Sequence, residues 1–267
     1  MDLTNKTCII TGGAQGIGAA AVRKFSASGA NVVIIDINEE KGTALKNEIF
    51  RSGGKSIFIR CDVSDSKQVQ YAIKGTIKEF GSIDAIYNNA SVYWADKDGI
   101  ITDIEENNWN SIIGINLNSI YFFCKYGIPY MIESKKGGVV INTASSAGII
   151  GIPKCDAYTA SKGATIQLTK SMAAEYGRFN IRVNCIAPAA IMTPMMLDSN
   201  PSDSGEFDEK SFLKLRSPLR RYGTPEEIAN IAAFLASDEA RFINGAIIVA
   251  DGGITINGDL SKVPDNE

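Results

Sequence analysis

Two hydrophobic periods alternate along this chain. Short runs rich in β-branched residues recur at 7–11 (TCIIT), 31–36 (NVVIID), 56–61 (SIFIRC), 83–87 (IDAIY), 138–142 (GVVIN), 181–186 (IRVNCI) and 246–250 (AIIVA), and each predicts a strand. Several are apolar on both faces, as strands covered by helices on both sides tend to be. Between them the period lengthens to that of a helix over 17–28, 38–52, 67–80, 108–134, 157–177 and 225–237. This alternation predicts an α/β fold: a doubly wound, seven-stranded parallel sheet with right-handed crossovers and helices on both faces. No linker or repeat divides residues 1–256, which read as one domain. The long connection 189–223, with Met192, Met195 and Met196, has the length of a lid or binding loop, and 257–267 reads as a polar tail.

Composition narrows the chemistry. The 267 residues carry 27 Lys+Arg against 30 Asp+Glu, so no basic excess points to nucleic acid. There is no histidine, which excludes a Ser-His-Asp triad, a Cys-His pair and any His-ligated metal. Proton transfer must therefore run on Tyr, Lys, Asp, Glu, Cys or water. Cys8, Cys61, Cys124, Cys155 and Cys185 show no CxxC spacing and read as reduced thiols, so neither a metal site nor a disulfide framework is expected. No secretory pattern opens the chain and no apolar run reaches the ~20 residues of a membrane helix. A cytoplasmic protein with no membrane contact is the expectation.

The stretch Thr11-Gly12-Gly13-Ala14-Gln15-Gly16-Ile17-Gly18 joins the first predicted strand to the first predicted helix. Glycines there let the backbone approach a phosphate, and the helix N-terminus supplies free N–H groups and a positive dipole. Asp36 ends the second strand, eighteen residues beyond Gly18, near the offset at which a carboxylate meets an adenosine ribose. A carboxylate accepts from both ribose hydroxyls and repels a 2′-phosphate. With Gln15 and Ile37 uncharged, NAD is favoured over NADP.

Together with Asp62-Val63, Asn88-Asn89-Ala90, Asn116, Ser145, Tyr158-x-x-x-Lys162 and the stretch from Pro188 to Thr193, this turn resembles the short-chain dehydrogenase/reductase family over nearly the whole chain. The resemblance implies a single-domain Rossmann fold. It implies cofactor contacts from Gly12, Gln15, Gly16, Ile17, Gly18, Asp36, Asp62, Val63, Asn89, Ala90, Tyr158, Lys162, Pro188, Ile191 and Thr193. Tyr158 and Lys162, at i and i+4, share one helix face, where an ammonium can stabilise a phenolate. By resemblance Tyr158 is the general acid/base, Lys162 lowers its pKa and holds the nicotinamide ribose, Ser145 polarises the substrate oxygen and Asn116 completes a proton relay. Ser91 and Ala189 stand where the family pattern has glycine.

Trp94, Ile152 and Met195, with Ser145 and Tyr158, are the candidate substrate contacts, in a mostly apolar lining that suits a ring or hydrocarbon. The methionines fit core filling or subunit contact equally well. The expected function is NAD-dependent interconversion of a small cyclic or steroid-like secondary alcohol and its ketone. Reduction of a 3-oxoacyl thioester and a non-catalytic NAD-sensing role on the same fold are the alternatives. By resemblance the assembly is a homotetramer.

Overall fold

Alternate side chains of the central strands point to opposite faces, and each face meets its own helices. Cys8, Ile10, Val32, Ile34 and Tyr87 pack in one buried cluster, and Ile9, Val33, Ile35, Ile86 and Val140 in the other. In this computed structural model, which describes residues 1–199 and 216–256, the strands form one parallel sheet. They are β1 (Thr7–Thr11), β2 (Asn31–Asp36), β3 (Lys55–Arg60), β4 (Ala85–Asn88), β5 (Gly138–Thr143), β6 (Ile181–Pro188) and β7 (Ile247–Ala250), in the order β3-β2-β1-β4-β5-β6-β7. Among the described residues the α-helices are α1 (Gly16–Ala27), α2 (Glu39–Arg51), α3 (Ser66–Phe80), α4 (Glu106–Ile113), α5 (Ser119–Ser134), α6 (Asp156–Tyr176), α7 (Pro194–Ser199) and α8 (Pro225–Ala236). Residues of α1, α2 and α8 join the first cluster, and those of α3, α5 and α6 the second. The doubly wound, seven-stranded arrangement expected from the periodicity is the one observed.

Strand order reverses between β1 and β4, which pair directly from Cys8↔Ala85 to Ile10↔Tyr87. The chain first builds outward through β2 and β3, then returns to the other side of β1. Helices following β1 and β4 therefore leave on opposite faces, and a crevice opens above the strands' carboxyl ends. Thr11 stitches its floor: its hydroxyl accepts from the N–H groups of Asn89 and Ala90, each at 3.0 Å.

Two details depart from the periodicity. The apolar pattern marks burial, whereas a strand is defined by its ladder. Ile83 and Cys61 are buried just outside the ladder, and β6 runs on to Pro188. The predicted helix 108–134 is also interrupted, because residues Gly114–Asn118 form a π turn between α4 and α5, with the Ser119 N–H bonded to the Gly114 carbonyl. In the long connection, Met192 N–H donates to the Gly223 carbonyl and Gly223 N–H to the Ala190 carbonyl, clipping its two limbs together. Its middle, 200–215, and the expected tail, 257–267, lie outside the described residues.

Candidate active site

The crevice is a cavity of about 710 Å³. At one end lies the glycine turn. Gly12 has φ +62° and Gly16 has φ +54°, and a Cβ on Gly12 would lie 2.9 Å from Ala90 Cα. α1 opens at Gly16, with Gln15 giving no side-chain cap to its first turn. Gly18 is buried behind the turn, where a Cβ would sit 1.9 Å from the Gly12 carbonyl oxygen, so it sets how closely α1 meets β1. Gly12, Gln15, Gly16 and Ile17 line the cavity, with Thr193 and Pro194 closing over Gly16.

Asp36 is fixed at the tip of β2. One carboxylate oxygen accepts from Ala14 N–H and the other from Asn38 N–H, both at 2.9 Å. Each oxygen retains a lone pair for a further donor. Asp62, Val63, Asn89, Ala90, Pro188 and Ile191 continue the same wall. One Asp62 carboxylate oxygen accepts from both the N–H and the hydroxyl of Ser64.

Ser145, Tyr158 and Lys162 meet at the other end. Ser145 follows β5, whereas Tyr158 and Lys162 lie one turn apart on α6. The Ser145 hydroxyl accepts from the Ala147 N–H at 3.2 Å and lines the cavity beside Tyr158. Lys162 is fully buried; its Nζ donates to the Thr143 carbonyl at 3.0 Å and lies 5.4 Å from the Tyr158 ring centroid. Burial pushes the Tyr158 phenol up to about 12, against a smaller lowering by the Ser145 side chain. Burial also pulls Lys162 down to about 8. The expectation that Lys162 holds Tyr158 below its ordinary value is not met in the protein alone. The ammonium faces the Thr143 carbonyl, and desolvation is the largest influence on the phenol.

Asn116 is buried one layer behind the cavity wall, on the π turn. Its Oδ1 accepts from Val92 N–H at 2.8 Å and Ser91 Oγ at 3.2 Å, while its Nδ2 donates to the Val92 carbonyl and to Ser161 Oγ. Ser91, in the glycine position of the pattern, thus ties the wall to Asn116. Ser161 was not singled out from the sequence; a serine within a Tyr-x-x-x-Lys turn gives no signal until its partner is known. Trp94, Ile152 and Met195 line the recess beside Tyr158, with Tyr93, Ile150 and Met196. The Tyr93 ring lies 5.1 Å from that of Tyr158.

A glycine cradle at one end of a crevice and a buried tyrosine, serine and lysine at the other is the layout of a Rossmann-fold oxidoreductase. Comparison with known proteins supplies the lineage. Residues 12–255 match the family model described as enoyl-(acyl carrier protein) reductase. A 2,5-dichloro-2,5-cyclohexadiene-1,4-diol dehydrogenase of Sphingobium indicum is 38% identical over 95% of this chain and 98% of its own. A 3-oxoacyl-(acyl-carrier-protein) reductase of Thermotoga maritima is 36% identical over 96% of this chain and all of its own. The crystal structure of levodione reductase superposes with a TM-score of 0.89 at 33% identity, covering 96% of this chain and 99% of that one. The chain belongs to the short-chain dehydrogenase/reductase family and is an oxidoreductase, and members of this family use NAD(P). The cavity fits such a nucleotide: Gly12, Gln15, Gly16 and Ile17 line its glycine end, Asp36 stands at the tip of β2, and Tyr158 and Lys162 line the other end.

Proposed function

We propose that this protein is an NAD-dependent dehydrogenase that interconverts a secondary alcohol on an apolar ring and its ketone. The observation that carries this reading is the meeting of Ser145, Tyr158 and Lys162 beside an apolar recess. Around that recess stand Val92, Tyr93, Trp94, Ile152, Met195 and Met196. Among the described residues, the charged members of the lining are elsewhere: Asp36 and Asp62 at the nucleotide end and Lys162 beneath Tyr158. A neutral hydrocarbon ring suits such walls, and the name of the Sphingobium relative specifies a ring diol.

Bound NAD supplies the hydride acceptor for oxidation and, once reduced, the donor for reduction. Gly12, Gly16 and the N-terminus of α1 would hold its phosphates, Asp36 the adenosine ribose, and Lys162 the nicotinamide ribose. In oxidation the Tyr158 phenolate takes the substrate hydroxyl proton while the Ser145 hydroxyl steadies the same oxygen. In reduction the protonated Tyr158 donates to the carbonyl oxygen, and its raised pKa in the protein alone favours that protonated form. Asn116 orders the wall behind the site through Val92 and Ser161.

Reduction of a 3-oxoacyl thioester is the second reading, supported by the Thermotoga relative. A screen of cyclic alcohols, cyclic ketones and acetoacetyl-coenzyme A with both nucleotides decides between them. NAD(H) with a cyclic substrate should exceed NADP(H) at least about tenfold in kcat/KM, on the order of 1.4 kcal/mol. Faster thioester reduction with NADPH would overturn the reading. Tyr158→Phe should lower turnover about 10²–10⁴-fold while leaving NAD binding intact.

A further inference from the structure

We infer that Asp98 is a positioning residue: it fastens the aromatic wall of the cavity to the first turn of α6, so that Tyr93, Trp94 and the Tyr158 phenol are held as one unit. The inference rests on the dehydrogenase reading above. α6 begins without a side-chain cap of its own, since Cys155 at the N-cap position makes no such bond. Its first N–H groups nonetheless have acceptors, all supplied by a segment some sixty residues earlier in the chain. Ala157 N–H donates to one Asp98 carboxylate oxygen at 3.0 Å and Tyr158 N–H to the other at 2.8 Å. Asp156 N–H donates to the Gly99 carbonyl at 3.0 Å. The contact is reciprocal, because the Asp156 carboxylate accepts from Ile101 N–H at 2.9 Å.

A carboxylate at a helix N-terminus satisfies orphan donors and meets the positive end of the helix dipole. Here it comes from the loop that carries the cavity wall. The N–H groups of Lys97 and Asp98 both donate to the Trp94 carbonyl, at 3.0 and 2.8 Å, closing a tight turn between the wall and the carboxylate. Tyr93, beside that turn, stacks at a tilt on Tyr158. The main chain of Tyr158 and the rings that face the substrate are therefore linked through the Asp98 carboxylate, with the Gly99 and Asp156 bonds beside it. Loosening it frees the phenol and the wall to move independently, and small misplacements of reacting groups are expensive in rate.

The chain has two tryptophans, so a Trp109→Phe background leaves Trp94 as the sole reporter of the wall. In that background Asp98→Ala and the isosteric Asp98→Asn are compared well below their unfolding temperatures. Asp98→Ala should lower kcat by about tenfold or more and raise KM for the cyclic alcohol. NAD affinity should be unchanged and acrylamide quenching of Trp94 increased. Asp98→Asn, whose amide oxygen still accepts one N–H, should fall between Asp98→Ala and wild type, and it carries the test alone if Asp98→Ala does not fold. Wild-type kcat, KM and quenching in the variants would overturn the inference, as would a loss of stability with kcat unmoved. A wild-type protein inactive on every alcohol would sink the dehydrogenase reading but leave the quenching comparison standing.

Discussion

Burial drives the two titratable groups of the candidate site in opposite directions. Tyr158 is pushed up to about 12 and Lys162 down to about 8, so burial moves each toward its neutral form while leaving Lys162 an ammonium at neutral pH. Spacing at i and i+4 correctly places them on one face of α6. It cannot reveal that Thr143, on the neighbouring strand end, takes the ammonium. Oxidation requires the phenolate and should rise with pH, whereas reduction, drawing on the phenol, should hold steady through neutral pH. An oxidation rate that falls from neutral to alkaline pH in the intact enzyme would contradict Tyr158 as the base. Lys162 also makes a prediction about stability. Its folded pKa lies below the ordinary 10.5, so its burial penalty is present in full below about 8 and lifts as pH rises toward 10.5. Lys162→Met carries no such penalty. Relative to wild type, its unfolding free energy should therefore fall by up to about 3 kcal/mol across that window, at ~1.4 kcal/mol per pKa unit. Urea titrations of the two proteins at several pH values measure the difference, and parallel curves would show that Lys162 is not desolvated as described.

Among the elements, the stretch from α4 to α5 shows where hydrophobic periodicity stops being informative. A π turn adds one residue to one helical turn, a phase shift too small to break an apolar pattern over 108–134. Yet it is on this turn that Asn116 reaches Ser91, Val92 and Ser161. The start of α6 fails differently. Its apolar period is readable, but its cap comes from Asp98, and no local pattern announces a distant acceptor. Where the cap is local, the sequence suffices. Thr224-Pro225-Glu226-Glu227 forms a reciprocal capping box at the head of α8, with Thr224 Oγ1 accepting from Glu227 N–H and Thr224 N–H donating to Glu227. α8 packs Ile228, Ala232 and Leu235 into the first core cluster. Its fraying should therefore be felt by the whole fold. Thr224→Ala should destabilise by about 1 kcal/mol, read as a lower urea midpoint with unchanged slope. An unchanged midpoint would mean that packing alone holds the helix start.

At the scale of the molecule, the strand order and the crevice follow from signals that are strong in the sequence: seven β-branched runs, six helical periods and a glycine turn after the first strand. Their placement above the carboxyl ends of the strands needs only the reversal of strand order between β1 and β4. The surface is harder to read, because an exposed apolar side chain looks the same in sequence as a buried one. Among the described residues β7 is one of the two edges of the sheet, with Val249 43% exposed, and Phe242 nearby in sequence is fully exposed. Tyr121 on α5 is half exposed. An open edge strand with apolar side chains is a liability for an isolated chain and an opportunity for a symmetric contact. We propose that copies of this chain cover these surfaces in a homotetramer. Light scattering at micromolar concentration should then give a mass four times the 28.7 kDa of one chain. Phe242→Asp with Val249→Lys should yield a smaller species whose circular dichroism is unchanged, since neither side chain is needed by the buried clusters. A monomeric wild type would overturn the proposal. A tetramer indifferent to both substitutions would move the contact away from the β7 edge and leave the α5 face, with Tyr121, as the surface to test next.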